Sequence, residues 1–94
     1  MRVRWLTRAT ESLIAAHDYI AQNNPGAARE FFRHVLASVD QLAQHPQTGR
    51  PGRVHGTREL VLPRYPYIVP YRVKSNEVQI LRVLHTSRVW PEKL

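Results

Sequence analysis

The chain has no cysteine, so no disulfide can staple it and no thiolate can act as nucleophile or zinc ligand. Acidic residues are scarce: seven Asp and Glu stand against fourteen Lys and Arg. They are too scattered for a carboxylate dyad. The five histidines show no ligand spacing such as HxxxH, so no metal or other cofactor is expected. No apolar run approaches the ~20 residues needed to cross a bilayer. The opening "MRVRWLTRATESL" has charge scattered through it and no apolar core of a signal peptide. The expected location is therefore the cytoplasm. No repeat, linker or low-complexity segment divides the chain, which reads as one domain over residues 1–94.

What is present is a globular composition with uneven charge. The 43% hydrophobic and 22% charged fractions suit a small packed domain. Residues 1–45 hold five arginines and four acids, whereas residues 46–94 hold nine Lys or Arg against three Glu. Nearly all of the +7 net charge therefore lies in the second half. Twelve of the fourteen basic residues are arginine, whose planar fork grips carboxylate or phosphate at two points. An anionic partner is implied, and nucleic acid and an acidic protein both qualify.

The order of elements follows from periodicity. "RVRWL" at 2–6 alternates as a short half-buried strand. Thr7 can cap a helix over about 8–22, with Glu11 in its first turn and Ala9, Leu13, Ala16 and Ile20 inward. Asn24 and Pro25 suit the start of a second helix running to about Gln44. Its apolar stripe is Ala28, Phe31, Phe32, Val35, Leu36, Val39, Leu42 and Ala43. The short break makes the two helices an antiparallel hairpin. "HPQTGRPGRVHGT" at 45–57 reads as a long irregular loop. Strands follow at 58–63, 67–73 and 77–85, with a tight turn at "KSN". The last is the most apolar and is expected at the centre. Pro70 requires an edge or a bulge. The expected fold is α+β: an N-terminal strand, the helical hairpin, then a three-stranded antiparallel meander. The first strand returns beside the last, giving a four-stranded sheet packed on the hairpin.

Several polar groups are candidates for chemistry or contact. His85 ends the last strand, where it is either a proton-transfer group or a structural histidine bonded to backbone. Arg82 lies among apolar neighbours and must be paired or reach solvent. It either pairs with Glu59 or Glu77 or joins Arg72 on an anion-facing surface. Arg50 and Arg53 bracket Pro51 and Gly52, with Arg58, Arg64, His45 and His55 close by. That density favours contact with an anion. Tyr65, Tyr67 and Tyr71 suit either stacking on bases or core packing, and core packing is the more ordinary use. If the chain cleaves RNA, His85, Arg82, Arg72 and Arg53 are the candidate groups, without a metal. Surface contact instead falls to Arg50, Arg53, Arg58, Arg64, Arg88 and Trp90.

The order of elements, with "GRPGRVHGTREL", "YIVPYRV" and "ILRVLHTSRVWP", resembles the RelE/ParE superfamily of toxins from type II toxin–antitoxin modules. The resemblance covers nearly the whole chain. It implies a small basic growth inhibitor neutralised by a cognate antitoxin, acidic in the segment that wraps it. It leaves two activities: RelE-like cleavage of mRNA on the ribosome, or ParE-like poisoning of DNA gyrase without nuclease chemistry. One nuclease branch carries a carboxylate in the loop, at the position of Gly52. It also carries a catalytic arginine at the position of Ile68. Both groups are missing here. The chain also ends soon after Trp90 and Pro91, as ParE-like chains do. The ParE-like reading, a gyrase inhibitor and no enzyme, is therefore expected first, and the endoribonuclease second. A nucleic-acid-binding module without toxicity is a third possibility.

Overall fold

The computed structural model describes residues 1–88, 90–91 and 93–94. The first strand, β1 (Arg2–Trp5), turns Val3 and Trp5 toward the core and leaves Arg2 and Arg4 outside. Helix α1 (Thr7–Ala21) follows after one residue. Thr7 is not its cap, and Glu11 lies beyond the first turn. The junction is made by backbone instead. Leu6 N–H donates to the Ile80 carbonyl at 3.1 Å, while the Leu6 carbonyl accepts from Ala9 and Thr10. Helix α2 (Pro25–Asp40) starts as its sequence predicts. Asn24 Oδ1 accepts from Ala27 N–H at 3.0 Å, and Pro25 takes the first position. The helix gives way to a 3-10 turn at Gln41–Ala43, short of the expected Gln44. Ala28, Phe31, Val35, Val39 and Leu42 are the buried stripe.

The remaining strands are β2 (Arg50–Pro51), β3 (Arg58–Val61), β4 (Tyr67–Lys74), β5 (Glu77–Ile80) and β6 (Leu84–His85). The sheet runs β1-β5-β4-β3-β2, with β6 also paired to β4. β1 is parallel to β5 and the other pairings are antiparallel. The fold is the α+β arrangement that the sequence implies, with β5 between β1 and β4. Ser75 and Asn76, both at positive φ (55° and 56°), make the two-residue turn between β4 and β5. That conformation matches the twist of the paired strands.

Two elements differ from expectation. The segment 45–57 is not wholly irregular, because β2 pairs with β3 through Arg50↔Glu59 and Pro51↔Arg58. Proline is tolerated because β2 is an edge with a single neighbour. The last strand is interrupted. From Tyr71↔Ile80 to Tyr67↔His85, β4 retreats four residues while its partner advances five. The extra residue is a bulge within Leu81–Val83. Leu81 N–H donates to the Pro70 carbonyl at 2.9 Å, and Pro70 has no N–H to return. Ser12 Oγ of α1 takes up the bulge amide of Val83 at 2.8 Å.

The sheet has two unlike faces. Tyr67, Val69 and Tyr71 of β4, with Val78 and Ile80 of β5, pack on the helices. Ile68, Pro70 and Leu81 alternate to the other side, yet they too are buried. Trp90 stacks beneath the Arg53 guanidinium at 3.6 Å, and Arg82 Nη2 donates to the Lys93 carbonyl at 3.2 Å.

Candidate functional site

Glu59 organises the arginine-rich loop. It is 4% exposed and sits on the outer face, opposite Pro70 and Arg50. A buried carboxylate needs donors on both oxygens. Oε1 receives Arg50 Nε and Nη2 at 3.3 and 3.2 Å, and Oε2 receives the Arg53 backbone N–H at 3.0 Å. The Arg53 guanidinium approaches Oε2 at 3.8 Å and lies over the Trp90 ring. Both arginine side chains remain more than half exposed. The result is a fixed surface of two guanidinium groups and one indole, with one positive charge in excess.

Nearby cations serve the loop from behind. Arg58 Nη1 donates to the Gly49 carbonyl at 2.8 Å and, more weakly, to the Gln47 carbonyl at 3.4 Å. The Tyr71 hydroxyl accepts from Gly49 N–H at 2.8 Å and donates to the Pro46 carbonyl at 2.7 Å. Burial raises the Tyr71 phenol above its ordinary pKa, against the pull of the Gly49 bond and of Arg58. Tyr71 is therefore a core residue that anchors the loop, while Tyr67 is a core residue at the other end of β4. Arg64 is exposed and lies 6.0 Å from the Tyr65 ring centroid.

The other outer-face polar groups form a chain along β4, β5 and β1. Arg72 Nε donates to Gln79 Oε1 at 2.8 Å, and Gln79 Nε2 donates to Glu77 Oε1 at 3.0 Å. Arg4 and Arg2 approach the same carboxylate at 3.3 and 3.9 Å. The Gln79 bond, with both arginines, holds Glu77 below the ordinary carboxylate range. Arg82 does not pair with Glu59 or Glu77, since both acids have other arginines. The bulge turns it instead to the carbonyl of Lys93, and its Nε is buried without a partner among the described residues.

His85 occupies different ground. It pairs across the sheet with Tyr67, whose ring it meets edge-on at 5.0 Å, so it shares the helix-side face. Its Nδ1 accepts the Ser87 backbone N–H at 3.0 Å. The neutral ring must then carry its hydrogen on Nε2. With Tyr67, Arg88, Leu84 and Val83 it lines a 160 Å³ cleft against Ser12, Ala15 and Ala16 of α1. The Arg88 guanidinium lies over the exposed Tyr19 ring at 4.4 Å.

The structure thus joins Arg50, Arg53 and Trp90 in one cluster, with Arg58 behind it. His85 and Arg88 meet elsewhere, and Arg72, Arg82 and Arg64 join neither group. The four candidate nuclease residues do not converge, because His85 lies on the helix side while Arg53 and Arg72 lie on the outer side. Gly52 has no room for a side chain: a Cβ there would lie 2.2 Å from Thr57 Oγ1 and 3.1 Å from Thr57 backbone atoms. Its amide donates to the Thr57 carbonyl at 2.8 Å. Ile68 is 4% exposed. Glu59, Gln79, Ser12 and Tyr19 have roles that sequence reasoning missed. The alternation of β3, which puts Glu59 opposite to Leu60, was the available signal for the first.

Residues 3–90 match the family described as the ParE toxin of the type II toxin-antitoxin system parDE. The chain is 45% identical over 93 residues to a Sinorhizobium fredii protein named toxin Y4kP, covering 99% of this chain and 96% of that one. It is 34% identical over 88 residues to toxin RelE2 of Caulobacter vibrioides, covering 94% and 98%. Among solved structures it resembles the chromosomal ParDE system from P. aeruginosa, with a TM-score of 0.83, 33% identity, and coverage of 93% and 97%. It also resembles the RelBE2 toxin-antitoxin complex from Mycobacterium tuberculosis, with a TM-score of 0.61, 27% identity, and coverage of 89% and 95%.

Proposed function

This chain belongs to the ParE toxin family of type II toxin–antitoxin systems, and from that premise we propose that it acts by binding DNA gyrase, not by cutting RNA. One observation carries the reading: the groups that a nuclease would need lie on opposite faces of the sheet. Metal-free cleavage of RNA requires a base for the 2′-hydroxyl, cations on the phosphate and an acid for the leaving oxygen, all within reach of one substrate. His85 faces the helices, with Nδ1 already accepting the Ser87 amide. The neutral ring offers a donor at Nε2, not a base. Gly52 and the buried Ile68 supply no replacement. The greater similarity to a ParDE system than to RelBE2 points the same way.

The surface proposed for gyrase is Arg50, Arg53 and Trp90. Aromatic and arginine side chains held rigid in advance are the usual anchors of protein recognition. The antitoxin is proposed to meet the basic surface with acidic side chains. The similarity to toxins named RelE keeps ribosome-dependent mRNA cleavage as the second reading.

Purified antitoxin-free protein is to be added to gyrase and relaxed plasmid, and in parallel to translating ribosomes. Lost supercoiling with trapped cleaved DNA, and intact mRNA, is the expected result. Active gyrase with cut mRNA would replace this reading by the second.

A further inference from the structure

We propose that the cleft between α1 and the last strand is a seat for one carboxylate side chain, and that the antitoxin supplies it. The inference deepens the toxin–antitoxin reading and rests on it. Three donors border the cleft. Tyr67 is 4% exposed, yet its hydroxyl has no hydrogen-bond partner among the described residues. The hydroxyl itself is not fully enclosed, and an unpaired phenol that opens onto a cleft is available to a ligand. The Ser87 amide fixes the His85 tautomer that presents Nε2–H as a donor. Arg88 adds the positive charge, and its stacking on Tyr19 limits where the guanidinium can lie. Arg88 is close enough to Tyr67 to oppose the rise in the phenol pKa that burial causes.

Size and lining identify the occupant. At 160 Å³ the cleft is smaller than the ~300–1,000 Å³ of small-molecule sites, so it takes a side chain and not a nucleotide. Its apolar walls include Ala15, Ala16 and Val83. Those suit the methylene stem of a glutamate or aspartate, with the carboxylate at the three donors. A phosphate has no stem to cover these walls, and one guanidinium would leave its charge poorly matched. Ser12, Ala15, Ala16 and Tyr19 recur at helical spacing, so the opening is a groove along α1 that a partner chain can follow.

The test is an NMR titration of the full chain with sodium butyrate, a carboxylate on an aliphatic stem. Inorganic phosphate and sodium chloride at matched ionic strength are the comparisons. Saturable shifts centred on Ser12, Ala16, His85 and Arg88 are expected with butyrate. Affinity should fall about tenfold in Arg88→Gln, which loses a charge-assisted bond, and severalfold in Tyr67→Phe, which keeps the ring. Spectra unchanged away from the cleft show that the variants fold. Butyrate shifts no different from those of chloride would overturn the site. Tighter binding of phosphate would overturn the carboxylate assignment. Arg88→Gln should also weaken binding of the co-purified antitoxin about tenfold, and unchanged affinity would overturn the occupant. Neither gyrase nor RNA is present, so failure here is distinct from failure of the gyrase reading.

Discussion

The Tyr71 hydroxyl shows how much one atom can organise. It receives the buried Gly49 amide and donates to the Pro46 carbonyl, so the chain entering the arginine loop is fixed to the middle of the sheet. Tyr71→Phe leaves the ring in the core and removes both bonds. The orphaned Gly49 amide should then cost about 1–3 kcal/mol, read as a lower urea midpoint at unchanged slope. A midpoint equal to wild type would mean that water replaces the hydroxyl. Single residues were unevenly legible in the sequence. Asn24, Pro25 and the Phe31–Val35–Val39 stripe act as their local pattern predicts, because a cap and an apolar face are properties of neighbours in sequence. Glu59 and Arg82 were misjudged, because the partner of a buried charge depends on register. Glu59 faces Arg50 only through β2, and Arg82 meets Lys93 only because the strand bulges.

At the scale of elements, the segment 50–57 is held by a carboxylate within and by backbone contact at its ends. Gly52 lies against Thr57 so closely that even a methyl group must displace it. Gly52→Ala should destabilise the protein by about 1–3 kcal/mol, as overpacking does, and shift amide resonances across residues 50–57. Unmoved resonances there would show that the loop yields without strain. The same crowding rules out a catalytic carboxylate at that position unless the loop is rebuilt. Strand order and the helical hairpin could be read from the order and periodicity of the elements, and so could an interior place for β5, but the central strand is β4. The break between β5 and β6 could not, because one inserted residue barely disturbs an apolar run. Its trace was Pro70, a residue that a paired central strand cannot use at a two-bond position. The bulge also separates Arg82 from His85, and so divides what looked like one functional strand end between two places.

For the whole molecule, excess positive charge makes each carboxylate pairing an electrostatic hub. Glu77 links β1 to β5 through Arg2 and Arg4 and extends through Gln79 to Arg72 on β4. Its pKa in the fold is lowered, first by the Gln79 bond and then by the arginines, from an ordinary value of 4.5. The unfolded chain therefore binds the proton more readily than the native one. The contribution of Glu77 is present above that ordinary value and is lost as pH falls toward its lower native value. Glu77→Gln should consequently be less stable than wild type near neutrality, with the gap closing as pH drops below the carboxylate range. Urea midpoints for both proteins across that range measure it, and a gap that stays constant with pH would remove Glu77 from the acid limb. The alkaline limb has the opposite cause. Burial raises the phenols of Tyr67 and Tyr71 above 10.0, so the unfolded chain loses those protons first. Stability should fall as pH climbs past the ordinary tyrosine range, and less steeply in Tyr71→Phe, where one of the two phenols is absent.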